Sequence, residues 1–311
     1  MHADQYVFTG LEQTEVRDIA MIRNVVLHAL QDYTQSAGFY QLLPVLMSPI
    51  TDPLNHAVDP AQIIHEGRTL QLTASMIFHK QLALASGVLD RIFILAPNIR
   101  LEKPSVKGSE NHLLEFSQFD LEMRDASMFE VMAFLNDLLN YVFETVCTDE
   151  QSANALARLG RVLPPMNRSF PIMSSDKLIE EYGDDFEQVI SKGSDTPVFI
   201  TSYQREFYDR EDSGTPGRYR NFDLIYPEGF GEGLSGAERE YDYDRIVAKM
   251  GETGVDQCPF ARYLELAKAG EIPQTAGAGI GVERLLRFIV GRRQIRDVSP
   301  FDRSVGSPMA F

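Results

Sequence analysis

The chain has 311 residues, enough for one large core or one core with a subdomain. Its 44% hydrophobic and 24% charged content is that of an ordinary globular protein, and no apolar stretch approaches the roughly 20 residues of a membrane-spanning helix. With 45 acidic and 29 basic residues the net charge is −16, which disfavours a polyanionic partner, because nucleic-acid binding draws on cationic contacts to phosphate.

Met1 to Asp18 is polar and acidic, without the basic start and apolar centre of a signal peptide. Two cysteines, Cys147 and Cys258, are too few for a disulfide framework or a thiolate zinc site, and the expected location is the cytoplasm. Residues 1–16 read as a tail and 17–311 as a single domain.

Ile19, Ile22, Val26, Ala29, Leu30 and Tyr33 recur at three- and four-residue spacings, predicting an amphipathic helix over 17–37 that Gly38 ends. A strand follows at 41–47, then a loop rich in Pro, Asp and His over 48–68, a short strand at 69–74 and a helix over 77–87. Residues 90–102 and 113–123 read as a long antiparallel pair joined by a polar loop, 103–111. Met128, Val131, Leu135, Leu138, Leu139, Val142 and Val146 mark the next helix. The stretch 150–220 is less regular, with a strand at Val198–Ser202 and a charged loop at 209–220. A strand at Phe222–Tyr226 and helices over 237–252 and 258–269 complete the middle of the chain. Hairpin-joined strands with helices to one side predict an α+β fold built on an antiparallel sheet.

Near the C-terminus, Gly277-Ala278-Gly279-Ile280-Gly281 runs into a helix opening Val282-Glu283-Arg284. Glycine at alternate strand positions lets a ligand or another backbone lie close, and Arg284 then stands at the edge of that floor. Upstream, Asn98-Ile99-Arg100-Leu101-Glu102 is followed after the polar loop by His112-Leu113-Leu114-Glu115-Phe116.

These segments resemble motifs 3 and 2 of the class II aminoacyl-tRNA synthetases, and the first helix, Gly38-Phe39, the next strand and Pro49 resemble motif 1. The ending Ile295-Arg296-Asp297-Val298-Ser299-Pro300-Phe301 resembles that of the aspartyl/asparaginyl branch. Within it, Ser48–Pro53, Ser75–Gln81 and Gly231–Glu240 resemble the archaeal-type asparagine synthetases, free-standing relatives of asparaginyl-tRNA synthetase.

The resemblance implies an ATP site in which Arg100 holds the α-phosphate and substrate carboxylate, and Glu102 faces the adenine amino group. His112 would lie near the outer phosphates, with Phe116 and Arg284 on the two adenine faces. Such roles suit the groups, since a guanidinium binds oxygens bidentately or stacks on a ring. Asp223 and Glu232 would be the magnesium ligands, carboxylate oxygen being what a hard cation bridging phosphates takes. Lys80 and Arg239 would clamp the second carboxylate of L-aspartate, beside Ser75, Gln81 and Ser235, and with Arg100 they are the expected catalytic residues. Three departures stand out. Ser75-Met76-Ile77 replaces the aspartate-specific Ser-Pro-Gln, Asn111 stands where a loop arginine is usual, and Glu238 stands where tRNA-charging relatives have glutamine.

The activity so implied is ATP- and ammonia-dependent amidation of L-aspartate through a β-aspartyl-adenylate, by a homodimer and without tRNA. No anticodon-binding segment is expected before motif 1. The alternatives are a related ligase acting on another amino acid, a non-catalytic binder of adenylate or aspartate and, last, tRNA aminoacylation.

Overall fold

The computed structural model describes residues 13–54, 56–164, 169–203 and 207–307. The expected tail lies outside them up to residue 12. In chain order, α1 (Gln13–Ser36) leads to β1 (Tyr40–Gln41), β2 (Met47–Ser48), β3 (Val58–Asp59), β4 (Gln62–His65), β5 (Arg68–Leu72) and α2 (Ile77–Ala83). Then come β6 (Arg91–Ile99), β7 (Leu101–Glu102), β8 (Glu115–Arg124), α3 (Met128–Thr148) and α4 (Glu150–Arg158). The strands β9 (Ile172–Ser174), β10 (Val198–Thr201), β11 (Asn221–Tyr226) and β12 (Gly231–Glu238) follow, with α5 (Ser175–Tyr182) and α6 (Phe186–Gly193) between β9 and β10. The remaining elements are α7 (Tyr243–Thr253), α8 (Ala261–Lys268), β13 (Thr275–Gly281) and α9 (Val282–Val290).

Eight strands form one sheet in the order β1-β6-β8-β13-β12-β11-β10-β9, antiparallel throughout its six central strands and parallel only where β1 and β9 join at the edges. The expected α+β sheet flanked by helices is therefore present. Strand alternation sends the two faces to different tasks. On β8, Phe119, Leu121 and Met123 enter the core beneath α1, α3 and α9, while Gln118, Asp120 and Glu122 point to the other face. Helix α3 starts from a reciprocal cap between Ser127 and Glu130, and its apolar stripe is buried as the spacing predicts.

The stripe from Ile19 to Leu30 is buried in the chain's own core, with Tyr33 packed against it. The strand expected over 41–47 exists only as its two ends, which pair in different sheets. Pro44 between them has no N–H to give a ladder. The expected 48–68 loop contains β3 and β4, and β4 turns into β5 through Glu66 and Gly67, both with positive φ. That is a two-residue hairpin turn, and the Glu-Gly dipeptide was its only local signal.

The helix expected from 237 begins at Tyr243, because 231–238 is strand β12. Its glycines hide it from propensity but are sterically required. A Cβ on Gly233 would lie 2.0 Å from the Tyr226 ring, and one on Gly236 would lie 2.4 Å from Phe222. In β13, a Cβ on Gly277 would lie 2.0 Å from Glu122 Oε2 and 2.3 Å from the Leu121 carbonyl oxygen. Gly277→Ala is therefore expected to lower stability by about 1–3 kcal/mol, the usual cost of overpacking. An unchanged midpoint of chemical denaturation would refute this.

Candidate active site

A cavity of about 300 Å³ opens on the sheet face that the core helices leave free. It is lined from β8 by Phe116, Gln118 and Asp120, from β13 by Gly279 and Gly281, from β12 by Glu232 to Ala237, and by Arg239 just beyond. Ser75, Lys80, Arg100, Glu102, His112 and Arg284 complete the set, so the structure brings together all but two of the expected site residues.

The two exceptions are Gln81 and Asp223. Gln81 is buried beside α8, where its amide donates to the carbonyls of Glu240 and Pro273 and accepts from the Tyr263 hydroxyl at 2.8 Å. Asp223 is 1% exposed and stands opposite Ser235 in the ladder, outside the cavity lining. Among the described residues no group of three or more side chains is arranged to hold a metal ion. Glu232 faces the cavity, and one carboxylate suffices for magnesium when substrate phosphates supply further oxygens, so Glu232 fits that role.

The floor is a buried chain of charge. Lys80 is 1% exposed and donates to Asp120 Oδ1 at 2.7 Å and to the Ala278 carbonyl at 3.2 Å, with Glu122 Oε2 at 3.6 Å. Arg239 forks onto the two oxygens of Glu122 at 3.1 and 3.3 Å and lies 3.7 Å from Asp209. Thr275 adds a hydroxyl to Glu122 at 2.7 Å. The alternate glycines of β13 make room for these β8 carboxylates, since Gly277 pairs with Glu122 and Gly279 with Asp120. Sequence reading named the cations and missed Asp120 and Glu122; their even spacing on β8 beside the glycines was the available signal.

At the other end, Arg100 donates to the Ala74 carbonyl at 3.1 Å and lies 5.1 Å from the centre of the Phe116 ring. Glu102 is held by His56 at 3.0 Å. Arg284 pairs with Glu232 at 2.9 Å, and Glu283 beside it receives the Ser117 amide on both oxygens, at 2.9 and 3.1 Å. Burial raises the Glu283 pKa above the usual carboxylate range. His112 meets the Ser109 hydroxyl at 2.6 Å. Glu238, one of the three sequence departures, lies away from the cavity. It takes Arg220 at 2.6 Å and the Met128 amide at 3.0 Å, tying the 209–220 loop and the start of α3 to the sheet.

A family model described as tRNA synthetases class II (D, K and N) matches residues 3–305. The chain belongs to that family. Among curated relatives, the asparagine–tRNA ligase of Thermoplasma acidophilum is 27% identical over 316 residues, 95% of this chain and 71% of that protein. The asparagine–tRNA ligase of Streptococcus pneumoniae is 31% identical over 92% of this chain and 68% of its own length. Asparaginyl-tRNA synthetase from Pyrococcus horikoshii, solved with asparaginyl-adenylate, superposes with a TM-score of 0.85 at 23% identity, covering 94% of this chain and 69% of that one. The fold of this synthetase-family chain is thus the class II one, and its family makes it a ligase.

These relatives overturn the expectation of an ammonia-dependent asparagine synthetase in amino-acid biosynthesis, and with it ammonia as a partner and the exclusion of tRNA. The physical reason lies in the floor of the cavity. Lys80 and Arg239 were read as free cations awaiting a second carboxylate, whereas Asp120, Glu122 and Asp209 already match them. Overall charge was also a poor guide, because it says nothing about one local surface.

His112 has its pKa lowered below 6.5, first by burial and then by Arg284. Below the ordinary value the unfolded chain takes up a proton that the folded chain refuses, so stability falls as pH drops through about 6.5. In denaturation midpoints at pH 7.5 and 5.5, His112→Gln is expected to lose less than wild type. Equal losses would show that His112 does not contribute.

Proposed function

We propose that the chain activates L-asparagine with ATP as asparaginyl-adenylate and passes the acyl group to tRNA. The observation that carries the choice of amino acid is the matched floor. Its two cations face three carboxylates, and Asp120, lining the cavity, keeps one buried oxygen without a partner. An amide N–H can donate to that oxygen while Lys80 or Arg239 donates to the amide carbonyl. A second substrate carboxylate would add negative charge to a group already in anionic excess, in a desolvated site. The names of the curated relatives support the same reading.

In this reading the amino acid's α-carboxylate oxygen attacks the α-phosphorus, the bond to the β-phosphate oxygen breaks, and pyrophosphate leaves. Arg100 holds the α-phosphate and the incoming carboxylate together and neutralises charge that builds on the transferred group. Glu102 accepts from the adenine amino group, Phe116 and Arg284 stack on the ring, and His112 lies beside the outer phosphates. Glu232 would hold a magnesium ion, whose charge would neutralise phosphate oxygens.

A second reading keeps the chemistry and takes L-aspartate as the amino acid. Lys80 favours it, since the aspartate-specific enzymes that this chain resembles carry a lysine there.

ATP–pyrophosphate exchange with each amino acid, followed by charging of unfractionated tRNA, separates these readings. The expected result is exchange with asparagine, charging of tRNA, and a loss on the order of 10²–10³-fold in Arg100→Ala. Exchange with aspartate alone would install the second reading, and exchange with neither would reject both.

With the α1 stripe buried, the expected homodimer rests on Tyr40 and Leu43, 61% and 86% exposed, and on Leu46 and Met47 beside them. A monomer by light scattering at micromolar concentration would remove it.

A further inference from the structure

The phosphate end of the cavity takes its groups from three separate segments. His112 comes from the loop between β7 and β8, Glu232 from the start of β12, and Arg284 from the first turn of α9. One turn further along α9, Arg287 is 3% exposed and reaches the other two segments. Its guanidinium donates to the Glu110 carbonyl at 2.9 Å and to the Asn111 side-chain oxygen, both just ahead of His112. It donates to the Phe230 carbonyl, two residues before Glu232, and to the Arg293 carbonyl at 3.4 Å. The Phe230 ring lies 5.5 Å from it.

None of these acceptors is a carboxylate. A planar fork with five N–H donors can satisfy several carbonyls at once, which no other side chain does. Burial, with Arg284 and Arg293 nearby, lowers the Arg287 pKa to about 10, so it remains a cation at neutral pH. Removing it would take a donor from the carbonyl of buried Phe230 and loosen its part-buried bonds to Glu110, Asn111 and Arg293 at the same time.

We propose that Arg287 is a positioning residue that, through Asn111 and these carbonyls, sets His112, Glu232 and Arg284 at the spacing a nucleotide polyphosphate requires. The inference rests on the reading of this end of the cavity as an ATP site. It also gives the Asn111 departure a physical reason. An arginine at 111 would bring a second guanidinium against Arg287, whereas asparagine offers it an acceptor. Asn111 and Arg287 therefore act as a pair, and the charge behind the phosphates comes from α9 rather than from the loop.

Two readouts on the full chain test this: titration calorimetry with MgATP and the rate of tryptic cleavage after Lys107, in the loop that the clamp holds. Asn111→Ala is expected to weaken MgATP about tenfold and to speed cleavage, because the segment ahead of His112 is no longer pinned. Asn111→Asp, which keeps an acceptor for Arg287, is expected to be cleaved as slowly as wild type. Arg287→Lys keeps charge without the fork and should fall between them. Once the activated amino acid is known, Asn111→Ala should raise the KM for ATP while leaving kcat nearly unchanged. Wild-type affinity and cleavage in both Asn111→Ala and Arg287→Lys would overturn the proposal. If the wild-type chain binds no MgATP, the ATP reading itself fails, and cleavage alone then decides whether the clamp exists.

Discussion

The close approach of β8 to the glycine strand β13 is the constraint on which the site depends. Without side chains at Gly277 and Gly279, Glu122 and Asp120 lie across β13, where a Cβ would stand 2.0 and 2.9 Å from their oxygens. Lys80 from α2 and Arg239 from the end of β12 then close on these carboxylates from either side. Buried charges are costly to desolvate and are tolerated only when paired and hydrogen-bonded, and removing one member typically costs about 3–5 kcal/mol. The result is a rigid polar floor whose charge is settled before any substrate arrives. Recognition therefore depends on which hydrogen-bonding positions remain open, and less on raw attraction between opposite charges.

Helix α9 organises the opposite end. Its core face buries Leu285, Leu286, Phe288 and Ile289, and the Phe288 ring stacks on Tyr226 at 4.7 Å. That packing fixes the rotation of the helix, and so the direction of its charged residues. Glu283 grips the Ser117 backbone, Arg284 reaches the cavity, and Arg287 holds the loops around it. One amphipathic helix thus links core packing to the geometry of the phosphate end, because interdigitated side chains transmit position with little slack.

Legibility in the sequence followed the kind of signal each element carries. The pair β6 and β8, and helix α3, have apolar periodicities that survive into the structure, since each faces one continuous core. Strand β12 was hidden by the glycines that let it pack beneath Tyr226 and Phe222. The β4–β5 hairpin has no buried residue, so it has no apolar alternation to read. Gln81 was assigned to the substrate through the resemblance of Ser75–Gln81, but it does not share a helix face with Lys80 and points to Tyr263. The expected ammonia chemistry came from the resemblance of Ser48–Pro53, Ser75–Gln81 and Gly231–Glu240 to the archaeal-type asparagine synthetases. Of the departures from the family pattern, Glu238 ties the fold together away from the cavity, and Asn111 is bonded to Arg287.

By itself the sequence determined the α+β class, the long antiparallel pair, the glycine strand running into the Arg284 helix, and the family motifs with most of the cavity's residues. Local periodicity and short motifs encode these directly. The tertiary structure alone decided that Lys80 and Arg239 are already matched by carboxylates, that Asp223 and Gln81 stand outside the cavity, and that Arg287 joins three segments. Each of those facts depends on which side chains meet across strands and loops far apart in the chain, and only the packed sheet fixes that geometry.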